Sequence, residues 1–132
     1  MFLPDDVVES LLDALGSGGP TRWLGLSTTV PTLSAAGYGN VTEPSAPSYA
    51  RVQVDPSDWA PAAGRAVQVV VQIPDPVADL GVVVAWVLFD ADSGGVAKLA
   101  GEPAAPIDLL AGTSNVEVTC RIEAPDNLTA AF

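Results

Sequence analysis

The chain has 132 residues, enough for a sizeable core, cut into short segments by twelve glycines and twelve prolines. Sixteen acidic residues against five basic ones leave a net charge of −11, which excludes the basic footprint of a nucleic-acid binder and a polybasic membrane anchor. With no histidine and one cysteine, the chain has no Ser-His or Cys-His nucleophile, no His zinc site, no thiolate cluster and no intrachain disulfide.

The first predicted element is a short helix within residues 1–16. Val7, Val8, Leu11, Leu12 and Leu15 recur at helical spacing, and Asp5, Asp6 and Glu9 lie near its positive end. Gly16 is expected to stop it in the left-handed conformation. Three turns are marginal alone, so the apolar stripe packs on the chain's own core or, with Met1-Phe2-Leu3, on a neighbouring subunit. The start of the chain has no basic segment followed by an apolar core, so no secretory leader is expected. Without one, the two Asn-X-Thr triplets at Asn40 and Asn127 read as chance matches to the glycosylation pattern.

Thr21–Ser27 reads as a strand, with Gly25 marking a close backbone approach or a bulge. Residues 28–48 read as a long loop, either functional or a connection from one sheet to another. Tyr49–Val54 alternates as a strand with one wet face. The turn that follows carries Trp59, which is expected to cap the core. In Ala66–Ile73, the residues Val67, Val69, Val71 and Ile73 share one face.

Leu80–Phe89 is a continuous apolar run, far short of the ~20 residues of a membrane-spanning helix. It predicts a strand buried on both faces at the centre of the core. Asp90-Ala91-Asp92-Ser93-Gly94-Gly95 turns the chain into a hairpin with Val96–Leu99. Ile107–Leu110 is a short strand or turn. Asn115–Glu123 alternates most cleanly: Val116, Val118, Cys120 and Ile122 point inward, and Glu117, Thr119, Arg121 and Glu123 outward. Residues 125–132 form a short tail. The whole predicts a single mainly β domain spanning 1–132, an antiparallel β-sandwich or jelly-roll-like fold with a short N-terminal α-helix.

Two acidic patterns invite chemistry. Asp90, Asp92 and Gly95 match positions of a calcium loop, but Gly94 and Gly101 stand where oxygen ligands are required. Asp92-Ser93-Gly94 matches the aspartic-protease triplet, which needs two such aspartates sharing a proton. A plain hairpin turn accounts for both patterns. Arg51 and Arg121 read as charges on polar strand faces, in surface ion pairs or interface contacts. No catalytic residue, metal ligand or cofactor is expected.

Three segments in order resemble a family of small tailed-phage structural proteins. They are Trp23–Thr32, with Gly-Leu-Ser-Thr-Thr-Val-Pro-Thr; Glu43-Pro44-Ser45 followed by Tyr49-Ala50-Arg51-Val52; and Phe89–Gly95. The resemblance implies a non-enzymatic virion component, assembled in the host cytoplasm, with a β-sandwich-like fold. The leading expectation is a capsid decoration or cementing subunit on the outside of the head. Its partners would be the major capsid protein or other virion proteins, and the chain itself would be a trimer or dimer. The alternative is a tail or tail-fibre component whose long loop binds a neighbour or a host glycan; a plain carbohydrate-binding module, with Trp59 or Tyr38 stacking on a sugar, is a separate reading. The candidate interface residues are Phe2, Leu3, Leu11, Tyr38 and Phe132.

Overall fold

The structure is a computed structural model and describes residues 3–47, 49–103 and 105–124. Among the described residues one helix, α1 (Asp5–Asp13), precedes ten short strands: β1 (Arg22–Ser27), β2 (Thr32–Ser34), β3 (Gly37–Gly39), β4 (Val52–Val54), β5 (Ala66–Ile73), β6 (Gly81–Val83), β7 (Ala85–Phe89), β8 (Ala97–Gly101), β9 (Ile107–Leu109) and β10 (Val116–Glu123). A 3-10 turn, Pro56–Asp58, lies between β4 and β5. The fold is mainly β and antiparallel with one leading helix, the class the alternating pattern predicts. The chain groups into two compact units.

Among the described residues, the first unit comprises 3–20, 55–70 and 119–124. Val8 and Leu12 of α1 are buried, while Val7 and Leu11 stay exposed. The apolar stripe is therefore wider than the face it buries. Gly16 does not stop the helix in a left-handed conformation; the glycines with positive φ are at 37, 64, 81, 94, 95 and 112. Close approach is what demands glycine there, because a β-carbon at Gly16 would sit 2.9 Å from Cδ2 of Trp59. Trp59 is buried, as its turn position predicts. Ala62 N–H donates to Asp13 Oδ1 at 2.8 Å, and Arg65 Nη1 to Asp5 Oδ1 at 2.8 Å. On the outward face, Arg121 reaches Glu123 Oε1 at 2.5 Å and Gln68 Oε1 at 3.0 Å, an exposed polar group of the kind its alternation predicts. Cys120 is fully buried, and burial pushes its thiol up to about 12.

The second unit comprises residues 21–54 and 71–118. Its six-stranded sheet runs β2-β3-β8-β7-β1-β4. β7 lies inside the sheet and all five of its residues are buried. Register places Leu24 opposite Leu88 and Leu26 opposite Trp86, on one face. Trp23 opposite Phe89, Gly25 opposite Val87, and Ser27 opposite Ala85 form the other. A cluster of Val87, Phe89 and Ala97 anchors that second face, with Trp23, Tyr38, Val41 and Ala100 packed against it.

Two departures from the pattern have clear causes. The run 80–89 is not one strand. It divides at Val84, whose N–H donates to Ser27 O at 2.9 Å, while β6 leaves to pair with β9. Val82 is consequently exposed despite lying in an apolar run. The segment 28–48 is also more than a loop, since it carries the β2–β3 hairpin on the outer edge of the sheet.

Candidate functional site

The polar centre of the second unit forms where the three motif-bearing segments meet. Arg51 follows directly on Tyr49-Ala50 and precedes β4, so its side chain lies beside β1 and over β7. Its guanidinium stacks on Phe89, with Cζ 3.4 Å from the ring centroid. Nε donates to Glu43 Oε1 and Nη2 to Glu43 Oε2, each at 3.0 Å, a two-point fork. Nη1 donates to the carbonyls of Ala91 and Gly94, both at 2.8 Å. One side chain thus ties the 43–51 segment to the hairpin turn after β7.

Tyr49 completes the cluster. Its hydroxyl donates to Glu43 Oε1 at 2.7 Å and accepts the N–H of Leu26 at 3.0 Å. The ladder between β1 and β4 runs from Arg22–Val54 to Leu24–Val52. Past it, the phenol takes the backbone donor that a longer β4 would have taken. Gly25 makes room for this arrangement. A β-carbon there would lie 2.6 Å from Phe89 Cε2 and 2.8 Å from Glu43 Oε1, so the close approach predicted from a glycine inside a strand is realised.

Electrostatics follow from this packing. Burial pushes the Glu43 carboxyl up, but bonds from Arg51 and Tyr49 and the Arg51 charge outweigh it and hold the group below its ordinary value. Tyr49 is pushed well above the usual phenol range, first by burial and then by the neighbouring carboxylate, against the lowering effect of the Leu26 bond. Arg51 has a side chain only 8% exposed, and Glu43 27%. The expectation of a surface ion pair at Arg51 is therefore corrected. Strand parity set it on a polar face, but Arg51 precedes the strand and turns back over Phe89.

The Ser27-Thr28-Thr29 hydroxyls form an adjoining staple. Buried Ser27 Oγ donates to Thr29 O at 2.6 Å and accepts the N–H of Thr42 at 3.2 Å. Thr29 Oγ1 donates to Asn40 O at 2.6 Å. The amide of Asn40, itself at φ 57°, donates to Val30 O at 2.9 Å. These bonds fasten both ends of the β2–β3 hairpin to β1. In the β7–β8 turn, Asp90 Oδ1 accepts Val96 N–H at 2.7 Å, while Gly94 and Gly95 take φ of 60° and 70°. Asp90 is thus engaged as a turn-closing acceptor. Asp92 lies at the rim of an open cleft with Glu43, Tyr49 and Arg51. Among the described residues, no three acidic or cysteine side chains are grouped to hold a metal ion.

Of the candidate interface residues, Leu11 is exposed on α1 and Leu3 is half-buried, its carbonyl accepting a bond from Arg65 Nη1 at 3.3 Å. Tyr38 is half-buried on β3 against the Val87–Phe89–Ala97 cluster. Phe2, Phe132 and the 125–132 tail lie outside the described residues. The roles of Glu43 and Tyr49 as partners of Arg51 were missed from sequence because their contact depends on chain reversal; Gly25 and the Glu43-Pro44-Ser45 and Tyr49-Ala50-Arg51-Val52 segments were the available signals.

No helix among the described residues is long and apolar enough to cross a membrane. Comparison with curated proteins gives no match. A protein-family profile, described as podophage GP4 fiber I protein gp80, matches residues 6–117. That span contains all three motif segments and every residue of the Glu43–Tyr49–Arg51 cluster. The chain belongs to this family of phage structural proteins.

Proposed function

We propose that the chain is a non-enzymatic building block of a phage fibre or its attachment. The observation that carries this reading is the match to a fibre-protein family over residues 6–117. The geometry supports it. Glu43, Tyr49, Arg51, Ser27, Thr29 and Asp90, the side chains best placed for chemistry, are spent holding backbone and one another. Such a network fixes loops rigidly on a sheet, which suits a structural subunit. The family favours the fibre alternative over a decoration subunit on the head. Its partner would then be a neighbouring tail or fibre protein.

Antibody labelling of purified virions tests the reading. Label at the tail, with fibre-less but otherwise complete particles after deletion of the gene, is the expected result. Label spread over the shell in many copies would overturn it in favour of the decorating role.

A further inference from the structure

Strand β2 ends the six-stranded sheet, so among the described residues no strand lies beyond it. All three of its residues are exposed. Leu33 is 73% exposed, and Val30 and Val96 close by in the fold are exposed as well. Natural edge strands are usually protected by a charge, a proline or a bulge. β2 contains none of these; Pro31 stands just before it. Leu33 pairs with Tyr38 across the hairpin, and Tyr38 with Ala97. An apolar row therefore leads from the buried cluster out to the edge. Beside it is an open hollow lined by Tyr38, Val41, Phe89, Val96 and Ala97, with no charged residue in its lining.

Charge restricts where two copies can meet. No charged residue occurs between Arg22 and Glu43, in a chain whose net charge is −11. Two copies repel each other over most of their surface, but not across this uncharged stretch. The hairpin is also held in place before any partner arrives. The Ser27, Thr29 and Asn40 bonds fix its base, and Ser34 Oγ donates to Gly37 O at 2.9 Å across its tip. Little ordering entropy remains to oppose pairing.

We propose that β2 is a self-association edge, pairing antiparallel with β2 of a second copy about a two-fold axis and bringing the two Leu33 side chains together. The two six-stranded sheets then join through this edge. The inference concerns the chain's own association and stands or falls independently of its place in the virion. Because the buried surface is uncharged while the remainder is acidic, added salt screens the repulsion and tightens the pair.

Sedimentation velocity over a concentration series tests it, with the full chain and the variants Leu33→Lys and Leu11→Lys. Both positions are exposed, so neither change disturbs the core. The expected result is a reversible dimer that strengthens with salt. Leu33→Lys should weaken it at least about tenfold, because the two-fold counts the substitution twice, and Leu11→Lys should leave it unchanged. Leu33→Cys supplies a second readout. Across a central antiparallel pair the two Cα atoms fall within disulfide range, so mild oxidation should yield a covalent dimer, Cys120 being buried. A monomer at every concentration, a dimer abolished by Leu11→Lys instead, or no covalent dimer from Leu33→Cys would each overturn the proposal. So would an edge engaged only when another virion protein is added.

Discussion

Replacing Arg51 by Met tests whether the Glu43–Tyr49–Arg51 cluster holds the second unit together. Met keeps a long apolar stem on Phe89 and removes the charge, the fork to Glu43 and the bonds to Ala91 and Gly94. Removing one partner of a buried ion pair costs about 3–5 kcal/mol, since the other charge stays without compensation. Glu43 retains part of its access to water and keeps the Tyr49 hydroxyl, which sets the loss near the lower bound, about 3 kcal/mol. In a chain of this size that lowers the thermal midpoint by about 10 °C. Urea unfolding followed by tryptophan fluorescence measures the free-energy loss directly. Arg51→Lys should recover less than half of it, because an ammonium cannot make the two-point fork or stack flat on the ring. A double-mutant cycle with Glu43→Gln should return a coupling of about 2 kcal/mol. A loss below about 1 kcal/mol for Arg51→Met, or a coupling near zero, would show that the pair is an ordinary surface contact and refute the reasoning.

Four further outcomes are expected. Tyr49→Phe leaves the Leu26 N–H unpaired and takes a donor from Glu43, costing about 1–3 kcal/mol in the same urea assay. Gly25→Ala drives a methyl group against Phe89 and Glu43 and should cost about 1–3 kcal/mol, visible as a lower denaturation midpoint. The Glu43 carboxyl is lowered in the fold, so its contribution is complete above the ordinary value of 4.5 and is lost as pH falls below that. Denaturation midpoints at pH 7 and pH 3 should therefore converge more in Glu43→Gln than in the wild type, a comparison that cancels the other acids. Cys120 should resist alkylation at pH 8 until the protein unfolds, because its buried thiol is pushed to about 12; rapid modification of the folded chain would contradict its burial.

Much of the sheet was legible because alternation reports burial directly. Val116–Glu123 and Ala66–Ile73 place their residues on the faces the pattern assigns. Continuous apolar runs carry no such phase, which is why 80–89 read as one strand although it serves two sheets, with Val84 bonded to Ser27 between them. The 28–48 segment hid its hairpin because three-residue strands on an edge need no apolar alternation. In the site, Gly25 signalled a close approach and the segments holding Glu43, Tyr49, Arg51 and Phe89 stood out by resemblance, but the contacts among them did not. Arg51 looked like a solvated charge by parity, and nothing local reveals that Glu43, eight residues earlier, folds back to meet it. Ion pairs made by chain reversal depend on tertiary geometry, which no periodicity records.

The placement of the recognisable segments has a consequence for where binding must be sought. Gly25, Glu43, Tyr49, Arg51 and Phe89 look inward at one another, and the Ser27-Thr28-Thr29 hydroxyls are occupied by residues 29, 40 and 42. Segments bound up in this way specify a scaffold, and a scaffold can be shared by subunits with different neighbours. Residues the fold leaves open, among them the exposed Val7 and Leu11 on an α1 that carries only acidic charge and the uncharged edge at Leu33, are the places to look. These two surfaces differ in sign of response. A basic partner docked on the acidic helix would be released as salt rises, whereas the proposed self-pairing of β2 would strengthen as self-repulsion is screened. Salt titration therefore distinguishes these two modes of association.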